Sequence, residues 1–340
     1  MNRQELETLA HKIVTDAKGI LAADESLPTI KKRFDSIQVE STEEIRRAYR
    51  ELLFTTPGME DFISGVILFD ETIRHATRDG VPFVELLSQK GVVPGIKVDK
   101  GAKDLPGFVG EKITEGLDGL RDRLIEYRDL GAQFAKWRAV IKIGNTIPTQ
   151  FCMDANAHAL ARYAALCQEV GLVPIVEPEV LMDGEHDIKK CRDVTAAALK
   201  SVYSALFEHC VYLEGTLLKP NMILSGKDCP TQAGPEEVAQ ATLSCFRQVI
   251  PAAVPGIVFL SGGQSSEQAT ENLNAMNALG KHPWELSFSY GRALQEDALK
   301  AWKGTADNVT ASQKAFYHRA KCNGAARYGK YNREMERMPT

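Results

Sequence analysis

The sequence predicts an α/β fold, a single (β/α)8 barrel, and three observations predict it. Short apolar runs alternate with helix-period segments in eight successive units, the turns between them are short, and no Gly-rich dinucleotide fingerprint follows any run. Strict alternation implies parallel pairing, and eight parallel units imply closure. The competing arrangement, an open doubly wound sheet, needs the fingerprint that is missing. One barrel with its N-terminal helix is expected over residues 1–320 and a C-terminal tail over 321–340. The final stretch, rich in Arg, Lys, Gly and Met, is expected to pack loosely or not at all.

Leu6, Leu9 and Ile13 give the opening segment one apolar helical face. The first strand is residues 19–24, ending on Asp24. Ser41 and Glu44 read as a capping box for a helix through Ile45, Tyr49, Leu52 and Leu53. Residues 64–69 and 94–99 are the second and third strands. Leu117, Leu120, Leu124 and Tyr127 return to helical spacing, with Gly131 as the stop. The fourth strand is 134–143, followed by a helix through Leu160, Ala164 and Cys167 to Gly171. The fifth is 173–181, followed by a long helix from about His186 to His209. The sixth is 212–221, in which Lys219 precedes the proline that ends it. Pro235 at the first helical position, with Glu236 and Glu237, starts a helix that buries Val238, Ala241, Cys245 and Val249. The seventh strand is 256–263, and Ser265 to Gln268 cap the next helix. The eighth is 286–291, before a helix through Leu294, Leu299 and Trp302 to Gly304.

Hydrophobic content of 44% and charged content of 25% describe a globular chain with a sizeable core. A net charge of −4 argues against nucleic acid or an anionic membrane as the main partner. No apolar run is long enough to cross a bilayer, and the N-terminus has no signal-peptide core, so a cytoplasmic protein is expected. The 7 cysteines show no C-x-x-C spacing and read as reduced thiols. The 7 histidines form no His-x-His or His-x-x-Glu-His pair, and the adjacent His209 and Cys210 sit at a helix end. No metal and no cofactor is expected.

Strands covered on both faces should be apolar throughout. Asp24, Lys97, Lys136, Arg138, Glu177, Glu179 and Lys219 break that rule, all within or at the C-terminal part of their strands. Lys136 with Arg138, and Glu177 with Glu179, are spaced by two, so each pair shares one face. On the interior face they converge at the C-terminal mouth, where barrels keep their chemistry. A lysine desolvated there is a candidate nucleophile for a carbonyl, and Lys219 is the one at a strand end. Ser261, Gly262 and Gly263 after the seventh strand, and Gly291 with Arg292 after the eighth, offer backbone N–H groups to a phosphate directly before a helix. On the opposite side of the mouth Ser26, Thr29, Arg33 and Lys97 offer a second anion grip. Two grips flanking a lysine suggest a bisphosphorylated carbonyl substrate.

The runs LAADES (21–26), GVILF (65–69), GIKVDKG (95–101), FAKWR (134–138), PIVEPE (174–179), YLEGTLLKPNM (212–222), FLSGGQS (259–265) and SYGRALQ (289–295) resemble class I fructose-1,6-bisphosphate aldolase. The resemblance reaches to about residue 320. It implies a metal-independent lyase that cleaves fructose 1,6-bisphosphate through a Schiff base on Lys219. Lys136 would favour the neutral amine by like-charge repulsion, and Glu177 would act as acid and base on the carbinolamine with Glu179 orienting it. Asp24 would take the C4 hydroxyl proton. Ser261, Gly262, Gly291 and Arg292 would bind the C1 phosphate; Ser26, Arg33, Lys97 and Arg138 fall near the C6 phosphate and sugar hydroxyls. The iminium would do the work of a Lewis acid. The resemblance also implies glycolytic or gluconeogenic use and a homotetramer, and leaves room for sedoheptulose 1,7-bisphosphate and fructose 1-phosphate as substrates.

Two departures stand out. Pro28 and Thr29 replace a Gly-Ser pair, and the family's terminal tyrosine is absent, the last tyrosines being Tyr328 and Tyr331. An isomerase using carboxylates alone would leave Lys219 and Lys136 idle, and a transaldolase-type lyase would leave one phosphate grip idle. A non-catalytic scaffold would not need all seven charges.

Overall fold

The computed structural model describes residues 2–15 and 17–337. Eight strands form its wall: β1 Gly19–Ala23, β2 Ile63–Leu68, β3 Val93–Lys97, β4 Phe134–Ile141, β5 Val173–Val180, β6 Leu217–Leu218, β7 Gly256–Phe259 and β8 Glu285–Tyr290. Each pairs in parallel with its neighbours in chain order, and β8 returns to β1, so the barrel is closed. Valine, isoleucine and leucine fill these strands, as burial on both faces demands.

The helices are α1 Arg3–Ile13, α2 Leu27–Asp35, α3 Glu43–Phe54, α4 Asp70–Ile73, α5 Phe83–Gln89, α6 Leu120–Asp129, α7 Gln150–Glu169, α8 Ile188–Glu208, α9 Pro235–Val249, α10 Ser266–Ala278, α11 Arg292–Trp302 and α12 Val309–Ala326. Local chemistry sets their ends. Ser265 accepts the Gln268 N–H, and Pro235 occupies the first turn of α9, as the sequence indicates. The cap of α3 is Thr42 rather than Ser41: its hydroxyl accepts the Ile45 N–H at 3.2 Å.

Three sequence expectations change. The stretch 212–221 is mostly not strand, because Leu213–Gly215 turn as a 3-10 helix and Tyr212 faces α1, its hydroxyl donating to Glu7 at 2.8 Å. The seventh strand stops at Phe259, and Gly262 and Gly263 follow in left-handed conformation (φ 56° and 94°). The C-terminal stretch does not lie loose. The boundary at 320 falls inside α12, which buries Phe316, Ala320, Cys322 and Ala326. Tyr331 is buried beyond it, and its hydroxyl donates to Glu336 at 2.6 Å. Residues 338–340 of the expected tail lie outside the described residues.

The barrel interior is layered. At its N-terminal end Leu6, Ala10 and Ile13 of α1 pack on Ile20, Phe134, Val173, Leu217 and Val258, forming an apolar floor. The Phe134 ring lies over Gly95, where an added Cβ would meet it at 2.3 Å, so the floor packs only with glycine there. Above the floor the interior turns polar. Among the described residues no helix is long and apolar enough to cross a membrane.

Candidate active site

The strand register stacks the charges. Lys97 closes β3 and pairs with Lys136 on β4, while Arg138 pairs with Glu177 on β5. Lys219 follows β6 directly; its N–H still donates to the Val176 carbonyl at 2.8 Å. Pro220 then has no N–H to continue the ladder. Asp24 follows β1 in the same way. All seven charged groups, and the serine, threonine, arginine and glycine positions expected to grip phosphate, line one cavity of about 980 Å³ at the C-terminal mouth.

At its base, charges alternate. Lys136 Nζ lies 2.8 Å from Asp24 Oδ2 and 3.1 Å from Glu177 Oε2, and Lys219 Nζ lies 3.3 Å from Glu177 Oε1. Lys136, Glu177 and Lys219 are each at most 4% exposed. Burial alone pushes an ammonium down, but Asp24, Glu177 and Asp99 outweigh it and hold Lys136 well above the ordinary lysine range. Burial likewise raises the Asp24 carboxyl, yet Lys136, Lys219 and Lys97 reverse it and hold Asp24 far below the usual carboxylate range. Each group thus favours the charged form of the other. Glu179 pairs with Arg138 across the rim. Lys97 is tied to Asp99, donating to its carboxylate at 2.7 Å and its carbonyl at 2.9 Å.

The loops after β7 and β8 stand side by side because their strands do. Gly291 caps α11, and the Arg292 guanidinium donates to the Gln264 carbonyl at 3.1 Å, joining the two loops. Gln264 and Ser265 separate the glycines of the β7 loop from α10, so that loop is not directly before its helix. The second grip is not opposite the first. Since β1 pairs with β8, Ser26, Thr29 and Arg33 stand beside the Gly291 loop, where an added Cβ would lie 3.5 Å from Arg33 Nη2. Lys97 is two strands further round, on β3. Pro28 does not stiffen a loop, because it sits in the first turn of α2, where its missing N–H costs nothing. The Ser26 and Thr29 hydroxyls face each other there at 3.0 Å.

Three polar residues of the mouth and its wall escaped the sequence reading. Glu25 is buried between Arg33 and Arg50, with the Gln295 amide donating to it at 3.0 Å. Asp99 positions Lys97 and accepts the Gly101 N–H at 3.1 Å. Ser289 points its hydroxyl into the mouth, and no partner for it is found among the described residues. The alternation Leu286, Ser287, Phe288, Ser289, Tyr290 carried that signal, and the spacing of two between Lys97 and Asp99 carried the other.

Fold and mouth together define a (β/α)8-barrel enzyme with a polar, multiply charged reaction chamber at the C-terminal ends of its strands. Comparison with known proteins narrows the class. The family model described as "Glycolytic: Fructose-bisphosphate aldolase class-I" matches residues 5–339. The chain is 59% identical over 332 residues to a probable fructose-bisphosphate aldolase class 1 of Xanthomonas campestris pv. campestris, covering 97% of this chain and 99% of the relative. It is 57% identical to fructose-bisphosphate aldolase 4, cytosolic, of Arabidopsis thaliana, covering 98% of this chain and 85% of that one. A solved structure of fructose-bisphosphate aldolase from Plasmodium falciparum, in complex with TRAP and a small molecule inhibitor, superposes with a TM-score of 0.96 at 51% identity, covering 97% of this chain and 96% of that one. The chain belongs to the class I fructose-bisphosphate aldolase family, and it is a lyase.

Proposed function

We propose that the protein reversibly cleaves fructose 1,6-bisphosphate to dihydroxyacetone phosphate and glyceraldehyde 3-phosphate through a Schiff base on Lys219. The observation that carries this reading is the buried lysine amine 3.3 Å from a carboxylate, at the foot of a mouth lined by the glycine loops after β7 and β8. Lys219 Nζ attacks the C2 ketone, and Glu177 delivers the proton with which the carbinolamine hydroxyl leaves as water. The iminium draws the electrons of the C3–C4 bond as Asp24, already ionised, takes the C4 hydroxyl proton. Lys136, held charged by Asp24 and Glu177, bridges the two carboxylates and keeps them in place. The enamine is then protonated at C3, and water releases dihydroxyacetone phosphate.

Ser261, Gly262, Gly291 and Arg292 take the C1 phosphate, joined by Arg33 from its place beside Gly291. Lys97, Arg138, Ser26 and Thr29 take the C6 phosphate and the hydroxyls, with Glu179 orienting Arg138. Neither Tyr328 nor Tyr331 lines the mouth, which supports water or a mouth side chain as the source of the C3 proton. The same frame accommodates sedoheptulose 1,7-bisphosphate and fructose 1-phosphate. A cytosolic homotetramer working in glycolysis and gluconeogenesis completes the proposal; the Arabidopsis thaliana relatives are named cytosolic.

Borohydride reduction with dihydroxyacetone phosphate and EDTA, followed by peptide mass mapping, tests it. An adduct on the Lys219 peptide, with cleavage surviving EDTA, is the expected result. No adduct, an adduct elsewhere, or loss of cleavage in EDTA would overturn the mechanism.

A further inference from the structure

Away from the mouth, the C-terminal turn Arg333–Glu336 lies against α12 and brings together three groups of the kind transition metals prefer. His318 and Cys322 are four residues apart on α12 and so share a face. His318 Nε2 stands 3.8 Å from Cys322 Sγ, and one ligand atom from each of His318, Cys322 and Glu336 lies within 4.8 Å of the others. A tetrahedral zinc ion holds nitrogen and sulfur ligands about 3.6 Å apart. The imidazole and thiol therefore already stand near a ligand separation.

The surroundings suit an ion as well. Arg319 holds both oxygens of the Glu336 carboxylate, Nη1 donating to Oε1 at 2.8 Å and Nη2 to Oε2 at 2.5 Å. The Tyr331 hydroxyl donates to Oε1 at 2.6 Å, outer support that fixes the carboxylate while Oε2 keeps a second lone pair for an ion. The Met335 carbonyl lies 3.7 Å from Cys322 Sγ, within reach of a fourth position. A cavity of about 620 Å³ between the end of α3 and α12 reaches His318, Cys322 and Met335 from solvent and gives the ion a way in.

We propose that His318, Cys322 and Glu336 bind a soft divalent cation, zinc foremost, which clips the C-terminal turn to α12. The ion replaces the thiol proton, which goes to solvent, and thiolate and carboxylate balance its two charges. Sulfur and imidazole favour zinc over magnesium or calcium. Arg319 and Lys321 place positive charge nearby, so the site binds less tightly than a closed four-thiolate centre. None of the three ligands lines the mouth, so the lyase reaction does not pass through this ion. The metal-free expectation rested on other histidine spacings and passed over His318-x-x-x-Cys322.

The test uses the full chain, stripped with chelator, then titrated with zinc against a chromophoric chelator and, separately, with cobalt. One ion per chain, a thiolate-to-cobalt charge-transfer band, and unchanged cleavage activity are expected. Cys322→Ser should abolish the band, and both Cys322→Ser and His318→Ala should weaken zinc binding by at least about tenfold. Cys210→Ser should change nothing. Zinc should also slow trypsin at Arg333 and Arg337 in the wild type and not in Cys322→Ser. No binding, binding without the band, or unchanged affinity in both ligand variants would overturn the proposal. If Cys322→Ser does not fold, the wild-type cobalt spectrum and His318→Ala, whose ring is partly exposed, still decide.

Discussion

Glu25 shows how much one buried side chain can organise. Burial raises its carboxyl, but Arg33 and Arg50 outweigh burial and hold it below the ordinary glutamate value of 4.5. Arg50 is itself only 3% exposed, so removing the carboxylate would strand a guanidinium in the wall. Glu25→Gln should cost about 3 kcal/mol at neutral pH, read from urea unfolding. The sign of the pH dependence follows from the direction of the shift. A lowered carboxyl contributes its stability above its unfolded pKa and loses it as pH falls through the lower folded value. The gap between wild type and variant should therefore begin to narrow as pH falls below 4.5 and close only below the lowered folded value, and a gap that persists undiminished into acid would refute the ion-pair account. Glu25 was hard to find by sequence because it stands one residue past Asp24, and only the return of α2 and α3 reveals which charges surround it. Lys219, Glu177 and Asp24 were legible because a charge inside an apolar run is anomalous without any knowledge of neighbours.

Among the elements, those with chemical punctuation were legible and those without were missed. α9 and α10 announce themselves through Pro235 and Ser265. α2 hid behind Pro28, which reads as a breaker until it is seen in a first turn. α12 hid because its buried side is built largely of small and polar residues, with Phe316 its one large apolar side chain. The hairpin of Ala102–Asp104 and Lys112–Thr114, inserted after β3, has strands too short to show a period. Its turn of chain beyond Asp99 helps shape the mouth, through Gly101 and Ala102. The C-terminal turn packs as an element in its own right, with the Tyr331 hydroxyl committed to Glu336 rather than to the mouth. Tyr331→Phe should leave turnover within a few-fold while lowering stability by about 1.5 kcal/mol in thermal or urea melts. A loss of about 100-fold in turnover would instead mean that this hydroxyl reaches the chemistry.

Over the whole molecule, the barrel is a cup with an apolar base and a charged lip. The base depends on α1, a segment with no part in the lip: Leu6 is 2% exposed, and an added Cβ on Gly215 would meet it at 2.9 Å. Leu6→Ala should therefore destabilise the chain by about 2–5 kcal/mol in urea melts, with kcat per folded molecule unchanged. A change in kcat at equal folded fraction would mean that base and lip are coupled. Closure itself was legible, since eight units of one handedness leave few other arrangements. What the sequence hid was which loops become neighbours on closing, and that is why Arg33 arrives beside Gly291. The brevity of β6 has one more consequence. Inward positions come every second residue, so the rungs an amine could take are 217 on β6 and, past its end, 219 and 221. Rung 217 is sunk in hydrocarbon, as Leu217 of the base. Position 221 lies beyond the proline, where the Asn221 side chain turns to α8, accepting from the Val180 N–H at 3.0 Å and donating to the Thr195 hydroxyl at 3.1 Å. A redesign that tried to raise or lower the amine to suit a longer or shorter sugar would find one address vacant of obstacles, and Lys219 already lives there.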